Sequence, residues 1–198
     1  MSTMSKIYAP ERYVGLSCLS VGAGSGGSVQ MLARATIIDY WGNILYDAFV
    51  RPTQDVANYK TTSTGIERAH LYGSEARPFE LVQAEVAKLI SNRIIVGHSL
   101  WTDLAVLGIS HKAADTRDAA LYGPFREAMG QINQPPGLST LVWKLMERRI
   151  QSGYINSVEN ARASIDLFRS VQDSWEMCIF NEEWPSVLPP AAYAQYFY

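Results

Sequence analysis

Three apolar runs joined by two short turns fill the first fifty residues, and this arrangement limits the fold more than any other feature. Residues 13–20 (YVGLSCLS) read as a buried strand. Residues 21–28 (VGAGSGGS) are glycine-rich and read as a turn or loop. Residues 29–40 resume as a strand, Trp41-Gly42-Asn43 form a tight turn, and residues 44–50 (ILYDAFV) form a third strand. Short turns between successive strands make an antiparallel meander.

The period then changes. Residues 64–71 (TGIERAHL) open with a capping-box pattern, Thr64 followed three residues later by Glu67. Residues 78–91 place Phe79, Val82, Val86, Leu89 and Ile90 on one helical face, with Pro78 near the first turn. Residues 93–96 (RIIV) read as a central strand, residues 100–107 as a helix, and residues 116–119 as a last strand. Residues 139–150 are amphipathic, and residues 156–180 carry apolar side chains at helical spacing. A meander followed by alternating helix and strand predicts a mixed sheet flanked by helices.

The chain has 198 residues, enough for one domain with a substantial core. We place that domain at residues 1–182, followed by an aromatic, proline-rich tail at 183–198. Pro185, Pro189 and Pro190 prevent the tail from being one regular helix. It reads either as a strap packed on the domain or as a partner-docking peptide carrying Trp184, Tyr193, Tyr196 and Phe197. Lys and Arg number 17 and Asp and Glu 19, a net charge of −2, which excludes an obvious polybasic nucleic-acid binder. No run of about 18 apolar residues predicts a transmembrane helix. The opening residues MSTMSKIYAPER lack an apolar signal core. Cys18 and Cys178 make no CxxC pair, so an intracellular, reducing compartment is expected.

Several stretches resemble one family. Gly97-His98-Ser99-Leu100-Trp101-Thr102-Asp103-Leu104 resembles the GHxLxxDL segment of DEDDh-type 3′→5′ exonucleases. Residues 46–52 (YDAFVRP) resemble YDxxVRP, residues 65–71 (GIERAHL) resemble GIxxxHL, and Thr116-Arg117-Asp118 resembles the RDT strand. Residues 136–145 (PGLSTLVWKL) and 157–161 (SVENA) resemble PSLKxLxxxL and SVEDA. The subgroup most similar is the Rex-type RNA exonucleases. The resemblance implies a ribonuclease-H-like fold with a mixed five-stranded sheet, and a nuclear location.

The family's reaction uses two metal ions on the scissile phosphate. Hard cations such as Mg²⁺ take oxygen ligands, chiefly carboxylates. The family supplies an Asp and a Glu two residues apart on one face of its first strand, an Asp from GHxLxxDL and an Asp from its last helix. A His five residues before that last Asp serves as general base. This chain departs at four of the five positions. Ser17 stands for the first Asp, Leu19 for the Glu, Ile155 for the His and Asn160 for the last Asp. Only Asp103 matches. Leu19 and Ile155 are apolar, and Ile155 has no proton to transfer. Glu159, Asp166 and Asp39 are misplaced to substitute. We therefore expect no cofactor and no metal beyond a weak ion at Asp103, and a polar Ser17–Asp103–Asn160 cluster in place of the metal cage.

Other motifs carry less. The VGAGSGGS stretch lacks the GxGxxG or Gly-Lys-Ser/Thr pattern of a phosphate loop. His70 and His98 lie inside family motifs and read as structural, and His111 is uninformative. No His/Cys cluster has zinc spacing, and no GxSxG elbow supports Ser17, Ser20 or Ser99 as a nucleophile. Lys144 and Arg148 fall four apart on a helix beside Arg149, and Trp101 could offer an exposed indole, so these four residues form the candidate RNA surface, with Tyr154 as a further stacking group. The expectation is a pseudo-exonuclease that acts by binding, with a protein partner favoured over RNA, no membrane contact and an open oligomeric state. The alternative is an active Mg²⁺- or Mn²⁺-dependent 3′→5′ RNA exonuclease with a rebuilt site.

Overall fold

The computed structural model describes residues 9–131 and 133–198. The N-terminal reading of residues 1–8 lies outside them. Strands β1 (Tyr13–Ala23), β2 (Val29–Asp39) and β3 (Ile44–Phe49) form the expected meander, turning at Trp41-Gly42-Asn43. The Asp39 carboxylate closes that turn by accepting from the Trp41 and Asn43 amides at 2.9 and 2.8 Å. Strand β5 (Ile94–Gly97) pairs parallel to β1, and β6 (Thr116–Asp118) pairs parallel to β5. The order across the sheet is β3-β2-β1-β5-β6.

The sheet has six strands, not five. The extra strand, β4 (Val56–Asn58), pairs antiparallel with β1 at Gly22 and Ala23. It forms because β1 continues three residues past Ser20, into the stretch read as a loop. Gly22 permits this, since a Cβ there would meet the Gly27 carbonyl oxygen at 2.5 Å.

Both faces of the sheet are buried, and alternation along the strands sorts the core. Tyr13, Ile94 and Val96 face α7 (Ser157–Phe180) and α6 (Leu138–Met146) in one apolar cluster with Ile165, Phe168 and Trp175. Val14, Leu16 and Ile95 face α3 (Phe79–Ile90) and α4 (Leu100–Leu107) in another with Val82, Val86 and Leu104. Two short helices, α1 (Thr61–Thr64) and α2 (Arg68–Tyr72), precede α3. The capping box is displaced from its predicted place. Glu67 is the N-cap of α2, and its amide donates to His70 Nδ1 at 3.0 Å. Helix α5 (Gly123–Ala128) was not anticipated.

Helix α6 ends at Met146, because Glu147 turns left-handed with φ 53°. Lys144 therefore lies on the helix while Arg148 and Arg149 lie beyond it, and the predicted shared face does not form. Arg148 pairs with Asp166 at 2.7 Å, and the Arg149 guanidinium lies 5.0 Å from the Trp143 ring centre.

The tail lies along the domain. Gly123 N–H donates to the Pro185 carbonyl, and Val187 N–H to the Leu121 carbonyl, both at 2.9 Å. Tyr193 and Phe197 pack on Trp101, Ala120 and Leu121. This corrects the expectation for Trp101, whose indole is buried rather than exposed. Tyr193, Tyr196 and Phe197 are half-buried against their own domain, and Trp184 is exposed. No described helix is long and apolar enough to cross a membrane.

His111 joins strap to domain. Its amide donates to the Tyr196 carbonyl at 2.9 Å, and its Nε2 lies 3.0 Å from the Arg93 carbonyl oxygen. Burial lowers its pKa below the usual imidazole value, against opposing contributions from the Arg93 carbonyl and Asp115. A group held neutral in this way supports the fold above its unfolded pKa of about 6.5, and that support is lost as pH falls toward the lowered folded value. Thermal melts should show a decline between pH 7 and 5 that is shallower in His111→Gln. Equal declines in both proteins would contradict this role.

Candidate functional site

Of the five family positions, Ser17 and Leu19 lie in the middle of β1, Asp103 in α4, Ile155 just before α7 and Asn160 in its first turn. Register places Ser17 opposite Thr36 and Leu19 opposite Arg34 on β2. Leu19 is buried in an apolar cluster with Val21, Ala33, Ile66 and Leu71. Ile155 packs against the same cluster, and its amide donates to the Ser63 carbonyl at 2.8 Å. The two apolar replacements thus share one small core with the GIERAHL segment. Burying a leucine of this kind is worth about 1.5–3 kcal/mol.

Asp103 is buried on α4. Burial pushes its carboxyl well above the usual range, the Cys18 backbone amide opposes that rise, and the Asp118 charge adds to it. Burial, with the Asp103 charge, likewise raises the Cys18 thiol. The expected Ser17–Asp103–Asn160 cluster is not joined by hydrogen bonds among the described residues. Asn160 Oδ1 instead accepts from Gln151 Nε2 at 2.9 Å, and Glu159 Oε2 accepts from the Gln151 amide at 2.8 Å. Asn156 caps α7 by accepting from the Val158 and Glu159 amides at 2.9 and 3.3 Å.

The nearby carboxylates are occupied. Asp118 Oδ1 accepts from the Ser99 and Ala120 amides at 2.9 Å each, and its Oδ2 accepts from the Leu100 amide at 2.7 Å. This caps the helix that carries Asp103, a role the sequence reading missed because nothing in TRD marks a cap for a helix eighteen residues earlier. Asp47 on β3 accepts from Arg34 Nε and Nη2, at 2.8 and 2.6 Å, and from the Thr36 hydroxyl at 2.8 Å. Thr36 also meets the buried Ser157 hydroxyl at 2.7 Å. Asp166 is held by Arg148, and Asp39 lies at the far end of β2.

His98 is fixed by structure. Its Nε2 lies 2.7 Å from the Pro136 carbonyl oxygen and its Nδ1 3.3 Å from Ser99 Oγ. Ser20 Oγ donates to Gln30 Oε1 at 2.9 Å and accepts from Lys60 Nζ at 3.0 Å. Among the described residues no group of three or more His, Cys, Asp or Glu side chains is arranged to hold a metal ion. Of the five family-matched positions only 103 carries a carboxyl, which is buried, and Leu19 and Ile155 lie in an apolar cluster.

No protein-family model matches the chain. RNA exonuclease 4 of Neurospora crassa is 40% identical over 166 residues, 84% of this chain and 40% of that protein. The human apoptosis-enhancing nuclease is 36% identical over 178 residues, 88% of this chain and 54% of that protein. The chain therefore spans about half the length of these relatives. The Saccharomyces cerevisiae apo Pan2 pseudoubiquitin hydrolase–RNA exonuclease module superposes with a TM-score of 0.73 at 24% identity, over 91% of this chain and 31% of that one. That match establishes the fold, a mixed sheet flanked by helices as in ribonuclease-H-like exonuclease domains. The chain is therefore similar in sequence to RNA exonuclease 4 and apoptosis-enhancing nuclease, and in fold to an RNA exonuclease module.

Proposed function

We propose that this domain is a pseudo-exonuclease, which keeps the exonuclease frame, has lost cleavage and acts by binding as a scaffold in RNA metabolism. The observation that carries this reading is the shared apolar cluster of Leu19 and Ile155 with Ile66 and Leu71, at the positions of the family's Glu and His. A charged ligand and a proton acceptor cannot be supplied by these two side chains. A protein is the primary partner in this reading and RNA a weaker one. The net charge of −2 gives little general attraction to phosphate, and two of the candidate cations, Arg148 and Arg149, are engaged by Asp166 and Trp143.

The test is a thermal melt with and without Mn²⁺ and Mg²⁺. A ligand present at a hundred times its Kd would raise stability by about 2.7 kcal/mol. Melting that ignores both ions agrees with the proposal. A clear rise that disappears in Asp103→Ala refutes it.

A further inference from the structure

The C-terminal strap is anchored at both ends and arches between them. One anchor is the pair of hydrogen bonds from Gly123 and Val187 to Pro185 and Leu121. The other joins His111 N–H to the Tyr196 carbonyl and Ala113 N–H to the Tyr198 carbonyl, both at 2.9 Å. Under the arch lies a cavity of about 650 Å³. Ala113, Ala114 and Leu121 line its domain side, and Trp184, Leu188 and Phe197 its strap side.

This volume falls within the range of small-molecule sites, roughly 300–1,000 Å³. Short side chains keep it open, with alanines at 113, 114, 191 and 194 among its lining. Two of its polar groups, Asp118 and Thr116, are hydrogen-bonded to backbone. The Asp118 carboxylate accepts three backbone amides, and the Thr116 hydroxyl donates to the Lys112 carbonyl at 2.9 Å. Apolar walls offer water few hydrogen bonds, so water filling the space is poorly held. The mouth is apolar too, with Leu188 82% and Trp184 45% exposed.

We infer that this cavity is a binding site for a neutral, largely apolar small molecule, separate from the Leu19–Ile155 cluster and independent of whether the domain cleaves RNA. A charged ligand is disfavoured there, because no cation among the described residues lines the cavity and the one bordering carboxylate is buried and turned to three backbone amides. The roofing strap encloses a compact ligand on two sides, where an open groove would favour a polypeptide.

The experiment is a titration of the full chain with the neutral fluorophore N-phenyl-1-naphthylamine. Saturable emission with one site per chain is expected, with energy transfer from Trp184. Ala194→Phe and Ala114→Leu, which fill the space, should bind about tenfold more weakly while keeping the wild-type melting temperature. Hydrogen exchange on the wild-type protein provides a test without substitutions. The fluorophore should slow exchange in residues 113–121 and 184–198. Absence of saturable binding, unchanged affinity in both filled variants, or protection elsewhere in the chain would overturn the inference.

Discussion

In metal-free buffer, the variant carrying Ser17→Asp, Leu19→Glu, Ile155→His and Asn160→Asp is expected to melt well below the wild-type protein and to recover when Mn²⁺ is added. Leu19 sits in a closed apolar cluster, and exchanging it for Glu forfeits about 1.5–3 kcal/mol of burial. New carboxylates at 17, 19 and 160 then join Asp103, whose own charge is already disfavoured by burial. Uncompensated charge there adds to the cost. For a chain of this size, 1 kcal/mol moves the melting temperature by about 2–4 °C, so a fall of about 5–10 °C follows. Dications would neutralise the four carboxylates and restore much of it. The wild-type protein in the same experiment should not respond. A restored variant that stays insensitive to metal would show that these positions do not converge as the family's ligands do.

Breaking the buried ion pair between β6 and α7 should have an effect of similar size. Arg117 Nε and Nη2 donate to Glu176 Oε1 and Oε2 at 2.7 and 2.9 Å, with the side chains 1% and 5% exposed. Arg117 also donates to the Ala114 carbonyl at 2.8 Å. Arg117→Met strands the Glu176 carboxylate in the core, at a cost of about 3–5 kcal/mol. The double variant Arg117→Met/Glu176→Met removes both charges and should recover most of that loss. Urea unfolding of the wild type and the three variants measures the coupling. Additive losses would show that the two side chains do not depend on each other. Trp175, next to Glu176, stacks on Tyr122 at 3.9 Å, so α7 is fixed to β6 and the following turn by adjacent residues.

The meander, α3, α4 and the long α7 were legible because each has a hydrophobic period of its own. Helix α4 falls at residues 100–107 in both sequence and structure. Strand β4 was not legible, since Val-Ala-Asn carries no period and pairs only because β1 runs on through Gly22. The end of α6 was missed for a related reason. The amphipathic pattern continues past Met146 while the backbone turns at Glu147. In the site, motif spacing located Ser17, Leu19, Asp103, Ile155 and Asn160. It could not show that Leu19 and Ile155 share a core, or that Gln151 Nε2 donates to Asn160 Oδ1. Burial of Trp101 was hidden as well, because its cover comes from Tyr193 and Phe197, more than ninety residues later in the chain.

The central claim concerns cleavage. Its most direct test incubates the wild-type chain and Asp103→Ala with 5′-labelled single-stranded RNA in Mg²⁺ and in Mn²⁺, and resolves the products at single-nucleotide length. The account predicts no shortening from the 3′ end by either protein. A ladder of 3′-shortened products from the wild type, absent with Asp103→Ala, would contradict it.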